Sequence, residues 1–189
     1  MKRIFLGIFG LTLTIMVGLV ACTQQKTEVV KAESPFRPLV TVQEVMASIV
    51  DPNIDPIWNS VSTVSTKEGT VDKQPQTDEE WKVLKNHALT LLEVPNLLVI
   101  EGRKAAADNA STSSHSSELT TAEVQKGIDT NRSDFNQHAH DLQDAIKQVI
   151  IAIDAKNPEE LVKAGGKVDQ VCEQCHKQFW YPNDVIPTS

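Results

Sequence analysis

Apolar residues along this chain recur mostly at helical spacing. Leu39, Val42, Met46, Ile49 and Val50 fall three or four residues apart and predict a first amphipathic helix. Asp51-Pro52 is expected to interrupt it, because the residue before a proline is pushed out of the helical region. Asp55-Pro56 reads as a restart, with Asp as N-cap and Pro at the first helical position. Ile57, Trp58 and Val61 would give that piece its apolar side, and Gly69 to Pro75 reads as a loop. Thr77-Asp78-Glu79-Glu80 is a capping-box signature. It opens a long helix through Trp81, Leu84, Ala88, Leu91, Leu92, Leu98 and Val99, with a kink expected at Pro95. Residues 108–117 are Ser-rich and read as an exposed loop. A third helix begins between Thr120 and Ser133 and presents Phe135, Leu142, Ala145, Ile146, Val149, Ile150 and Ile153. Asn157-Pro158-Glu159-Glu160 combines an N-cap, a first-position Pro and a third-position Glu. It opens a fourth helix that carries Leu161, Ala164, Gly165, Val168, Val171, Cys172 and Cys175 near one side and ends at Tyr181-Pro182. No alternating strand pattern of useful length and no internal repeat is visible. The fold class expected is all-α: an antiparallel four-helix bundle over 39–181, followed by a C-terminal tail, 182–189.

The first part of the chain has a different pattern. Met1-Lys2-Arg3 is basic, Ile4 to Val20 is apolar and uncharged, and Leu19-Val20-Ala21-Cys22 closes the run. A basic start, an apolar stretch and small residues before a cut describe a secretory signal over residues 1–21. The closing tetrapeptide resembles the lipobox of bacterial lipoproteins, in which the Cys becomes the first mature residue and carries the lipid. That resemblance implies lipidation of Cys22 and a flexible tether over 22–38. The alternative is an uncleaved membrane anchor, for which the apolar run is short. Both place the remainder outside the cytoplasm, with the periplasmic side of a bacterial membrane expected and the outer membrane favoured by Thr23 after the Cys.

Charge narrows the partners. The formal net charge is −7, and without Lys2 and Arg3 it becomes −9. An acidic domain does not suit nucleic acid or an anionic membrane surface. Aromatic residues make up 5% of the chain, so a small bundle with so few large side chains would gain from an apolar cofactor at its centre.

That cofactor has a motif. Of three cysteines, Cys22 is taken by the lipid, which leaves Cys172 and Cys175 with His176 as Cys-x-x-Cys-His. Positions three and four apart share a helix face. The two thiols can form thioethers with the two vinyl groups at one edge of a porphyrin, and the imidazole is then held over the iron. One covalent haem c is therefore expected. Other readings of the same residues are a redox dithiol, half of a zinc site and a short structural disulfide. The first expects an α/β context, and the second lacks its other half.

Val171-Cys172-Glu173-Gln174-Cys175-His176-Lys177-Gln178-Phe179, near the end of a four-helix pattern, resembles the cytochrome c prime and cytochrome c-556 family. The resemblance covers roughly residues 39–181. It implies His176 as proximal iron ligand, Phe179 as a haem-pocket contact, and Met46, on the first helix, as distal ligand or distal contact. The family commonly has a basic residue where this chain has Trp180. His87, His115, His138 and His140 read as solvated side chains, and Glu93, Glu101 and Arg103 as a solvated face or ordinary ion pairs. No catalytic triad order, phosphate loop or His-Glu-x-x-His motif occurs, and the chain is not expected to be an enzyme. The function expected is one-electron transfer with redox partner proteins in the periplasm or membrane. The alternative is a five-coordinate haem that binds NO or CO, and homodimerisation is compatible with both.

Overall fold

The computed structural model describes residues 34–67, 69–108, 110 and 117–183. The leader, Cys22, most of the tether, most of the 108–117 loop and nearly all of the C-terminal tail lie outside the described residues. The elements in chain order are α1 (Val42–Val45), a π-helical turn (Met46–Val50), α2 (Asp51–Trp58), β1 (Ser62–Thr66), β2 (Gly69–Lys73), α3 (Asp78–Leu98), α4 (Thr121–Thr130), α5 (Arg132–Asp154) and α6 (Pro158–Phe179).

Three helix starts share one device. Thr41, Thr77 and Thr120 each accept a hydrogen bond from the amide of a Glu three residues on, and that Glu's carboxylate accepts from the Thr amide in return. Each pair satisfies amides that the helix itself leaves open. Asn157 caps α6 through Glu160 N–H at 3.1 Å. Just before it, Lys156 adopts φ +49°, and Asn157 N–H bonds back to Ala152 O at 3.0 Å. This αL turn closes α5 and reverses the chain into α6.

Hydrogen bonds between helices give the directions. Lys85 and Lys156 pair with Asp154 and Asp78, so the start of α3 lies at the end of α5. At the other end, Arg132 donates to Val99 O and Gln143 to Leu92 O. His138 and Gln178 join the start of α5 to the end of α6. The long helices are thus antiparallel, and Leu91, Val94, Ile128, Ile146, Val149 and Val168 fill the space between them. The bundle is as expected, and so is the burial of Trp81, Leu84 and Leu142.

Three local expectations are corrected. First, Asp51-Pro52 does not break the first helix. The turn before it widens to π geometry, with Asp51 N–H bonded to Met46 O, which makes room for the proline ring beside the Ser48 carbonyl. The buried positions record the extra residue, since Val45 is followed by Val50 at a spacing of five. Second, Asp55-Pro56 is not a restart, because α2 runs through Pro56. Third, Ser62–Thr66 and Gly69–Lys73 pair as an antiparallel hairpin, with Val64 opposite Val71 and Thr63 Oγ1 bonded to Asp72 Oδ1 at 2.8 Å. β-branched residues favour this extended pairing. Both faces are exposed, so no alternation of apolar and polar residues marked it. The third helix begins within the expected range, as α5 at Arg132, and a further short helix, α4, precedes it and ends at Asn131.

Arg103 also departs from expectation. It is buried, and its guanidinium donates to the carbonyls of Leu97 and Val40, tying the segment before α1 to the end of α3. Leu39 stands exposed ahead of α1.

Candidate functional site

A largely apolar cavity, open at its mouth, lies between the α1–α2 helix, the start of α5 and the last turns of α6. Met46, Val50, Ile54 and Trp58 line it from the first helix, spaced four residues apart along one face. Phe135, His138 and Leu142 line it from α5. Cys172, Cys175, His176 and Trp180 complete it from α6. The residues of the Cys-x-x-Cys-His motif and Met46 therefore share one largely apolar space.

Phe179 is placed one layer behind. It is 2% exposed and meets Phe135 and His138 edge-on at 5.5 and 6.1 Å, so it supports two of the lining residues. Gly127 of α4 faces it, where an added Cβ would lie 3.7 Å from its ring.

Electrostatics keep the site neutral. Burial, helped by Asp169, Glu173 and Asp51, pushes the Cys172 thiol up to about 11. Burial and the neighbouring Cys172 push Cys175 up to about 12. Neither is a thiolate at neutral pH, which does not favour a redox dithiol. Burial also lowers the pKa of His176, outweighing the upward pull of Glu173, Asp51 and Glu118. The neutral ring keeps the lone pair that a metal ligand needs. His176 is flanked by Trp180 and Tyr181, with ring centroids 5.9 and 6.2 Å away. The amides of both residues bond to His176 O, and Tyr181 OH donates to Glu173 at 2.7 Å, which folds the chain end back over the imidazole.

The donor set suits a haem better than a bare ion. Cys172 and Cys175 are not joined to each other. Among the described residues no three His, Cys, Asp or Glu side chains converge on a point as a metal ion would require. Two thiols and an imidazole spread along one helix face beside an apolar slot match a broad, flat group. A polar orphan also borders the space: His138 Nδ1 is buried without a hydrogen-bond partner among the described residues.

Sequence reasoning missed His138, Trp58 and Asp51 as wall residues. The signal for His138 was present, since it lies three residues after Phe135 and four before Leu142. Asp51 and Trp58 were hidden by the expected helix break.

Residues 103–180 match the family model described as Cytochrome C'. The match spans most of the α3–α4 connection, α4, α5 and α6 and includes the Cys-x-x-Cys-His residues. Met46 and the first helix lie outside it. No curated protein and no solved structure matches the chain.

Proposed function

We propose that this chain, whose residues 103–180 match the Cytochrome C' family model, is a member of that family, carries one covalent haem c and exchanges single electrons. The observation that carries this reading is the shared cavity, in which Cys172, Cys175 and His176 meet Met46 across an apolar slot. Cys172 and Cys175 would hold the porphyrin edge as thioethers. His176 would bind the iron through its neutral nitrogen. When bound, the haem supplies the one-electron couple.

The chain's own residues do the rest. Val50, Ile54, Leu142 and Val171 keep water from the slot. Met46, which lines the same cavity as His176, would offer a thioether to the iron. Trp180 and Tyr181 cover the imidazole. Among the described residues no helix is long and apolar enough to cross a membrane. Attachment would come instead from lipid on Cys22, as the Leu19-Val20-Ala21-Cys22 pattern suggests, on the periplasmic side and with the outer membrane favoured. A diacyl anchor suffices for stable binding. The partners would be redox proteins nearby.

Absorption spectra of the purified protein in both oxidation states, with and without CO, test this reading. Haem that survives acid-acetone extraction and denaturing gels supports it. Haem that washes out, or a zinc signal in its place, overturns it. Immediate CO binding by a high-spin ferrous form would favour gas binding over electron transfer.

A further inference from the structure

His138 stands on α5 in a defined orientation. Its Nε2 lies 2.7 Å from Gln178 Oε1, and Gln178 Nε2 donates to Asp134 Oδ2 at 3.2 Å. A carboxylate only accepts, so the amide turns its NH2 end to Asp134 and its oxygen to His138. That oxygen needs a donor, which places the ring proton on Nε2. In the neutral ring, Nδ1 then carries a bare lone pair. Gln178 is exposed, whereas Nδ1 is buried and has no hydrogen-bond partner among the described residues. The ring therefore turns its N–H end toward Gln178 at the surface and its electron-rich Nδ1 into the protein interior, and the residue as a whole lines the wall shared with Cys175 and His176.

We propose that His138, held by Gln178 and Asp134, lowers the reduction potential of the haem. The inference rests on the haem reading above. Ferric haem carries one more positive charge than ferrous haem, so the negative end of a fixed dipole beside it stabilises the oxidised state. An apolar cavity screens such a dipole weakly. His138 acts here as a positioning residue for charge and is not an iron ligand. Asp134 strengthens the effect by polarising the amide that holds the ring.

The test is spectroelectrochemical titration of the haem-loaded protein. In His138→Leu the midpoint potential should rise, so that at a fixed electrode potential the ratio of reduced to oxidised haem increases several-fold. Gln178→Leu keeps the ring but frees its tautomer, and a smaller rise is expected. His140→Leu, an exposed change on the same helix, should leave the potential unmoved. An unchanged or lower potential in His138→Leu overturns the proposal. If that variant does not retain haem, Gln178→Leu decides: a rise supports the proposal and no change overturns it. Denaturing gels stained for haem keep the two readings apart. Loss of haem from the wild-type chain sinks the haem reading, whereas intact haem with an unmoved potential sinks only this one.

Discussion

The indole N–H of Trp58 donates to the carbonyl oxygen of Gly165 at 3.1 Å, and a Cβ on Gly165 would lie 3.3 Å from Trp58 Cδ1. This contact joins α2 to α6 beside the cavity. The adjacent Gly166 faces open space, with nothing within 4 Å of an added Cβ.

The two glycines should therefore respond in opposite directions. Gly165→Val forces the indole away and should lower stability by about 1–3 kcal/mol through overpacking and loss of the hydrogen bond. Gly166→Ala meets no neighbour and should raise stability by about 0.5–1 kcal/mol through helix propensity. Urea unfolding followed by circular dichroism measures both. Equal effects would show that the Trp58 contact has no energetic weight.

The π-helical turn has its own support. Asn53 Nδ2 donates to Ile49 O at 2.7 Å, and Asn53 Oδ1 lies 2.9 Å from His87 Nδ1 on α3. The amide orientation makes Oδ1 the acceptor, so His87 donates. Asn53→Ala strips partners from both groups and should cost about 1–3 kcal/mol. Asn53→Asp keeps an acceptor for His87 and should cost less. A smaller urea midpoint shift for Ala than for Asp would contradict this account.

Acid should weaken the helix starts. Hydrogen bonds from Thr41, mainly its amide, hold Glu44 below the ordinary 4.5. The amides of Gln76 and Thr77 do so for Glu80, and the Thr120 hydroxyl and amide for Glu123. A carboxylate with a lowered folded pKa contributes stability that is present above its unfolded value. That stability is lost as pH falls through the folded value. The chain should therefore lose stability as pH drops below 4.5. The triple variant with Glu44, Glu80 and Glu123 each changed to Gln keeps a capping oxygen without titrating, so its loss between neutral pH and about pH 3 should be smaller. Parallel urea curves at each pH would show it, and identical losses in both proteins would refute it.

The comparison with the sequence follows from where packing leaves a trace. α3 and α6 were legible because their caps, Thr77 with Glu80 and Asn157 with Glu160, are local signals beside strong apolar stripes. The Cys-x-x-Cys-His cluster was legible because Cys172, Cys175 and His176 sit on a single helix. The hairpin was not, because Val64 and Val71 pair on a solvent-exposed surface. Pro52 misled because a rule about one residue's backbone does not register that the preceding turn can widen. His138 was passed over because Gln178, its orienting partner, is forty residues away in the chain. Arg103 was misread for the same reason: its acceptor Val40 comes from the other end of the first three helices.

Met46 decides the kind of haem protein this is. It begins the π-helical turn, is partly buried, and lines the cavity that also holds His176. The widened turn inserts one residue between Val45 and Val50, so Met46 faces the same space as Val50 and Ile54. A thioether is a soft, neutral ligand that favours ferrous iron, and a His/Met pair raises the reduction potential. If Met46 ligates, the ferrous protein is six-coordinate and low-spin, and CO must displace a protein ligand before it binds. Met46→Ala should then convert nearly all of the ferrous haem to a high-spin form that takes up CO at once, while the thioether attachment through Cys172 and Cys175 survives denaturation. Met46→Leu separates packing from ligation: it fills the slot without a sulfur and should also be high-spin, yet bind CO more slowly than the Ala variant. A wild-type ferrous protein that is already high-spin and CO-reactive would reduce Met46 to a contact and move the function toward gas binding.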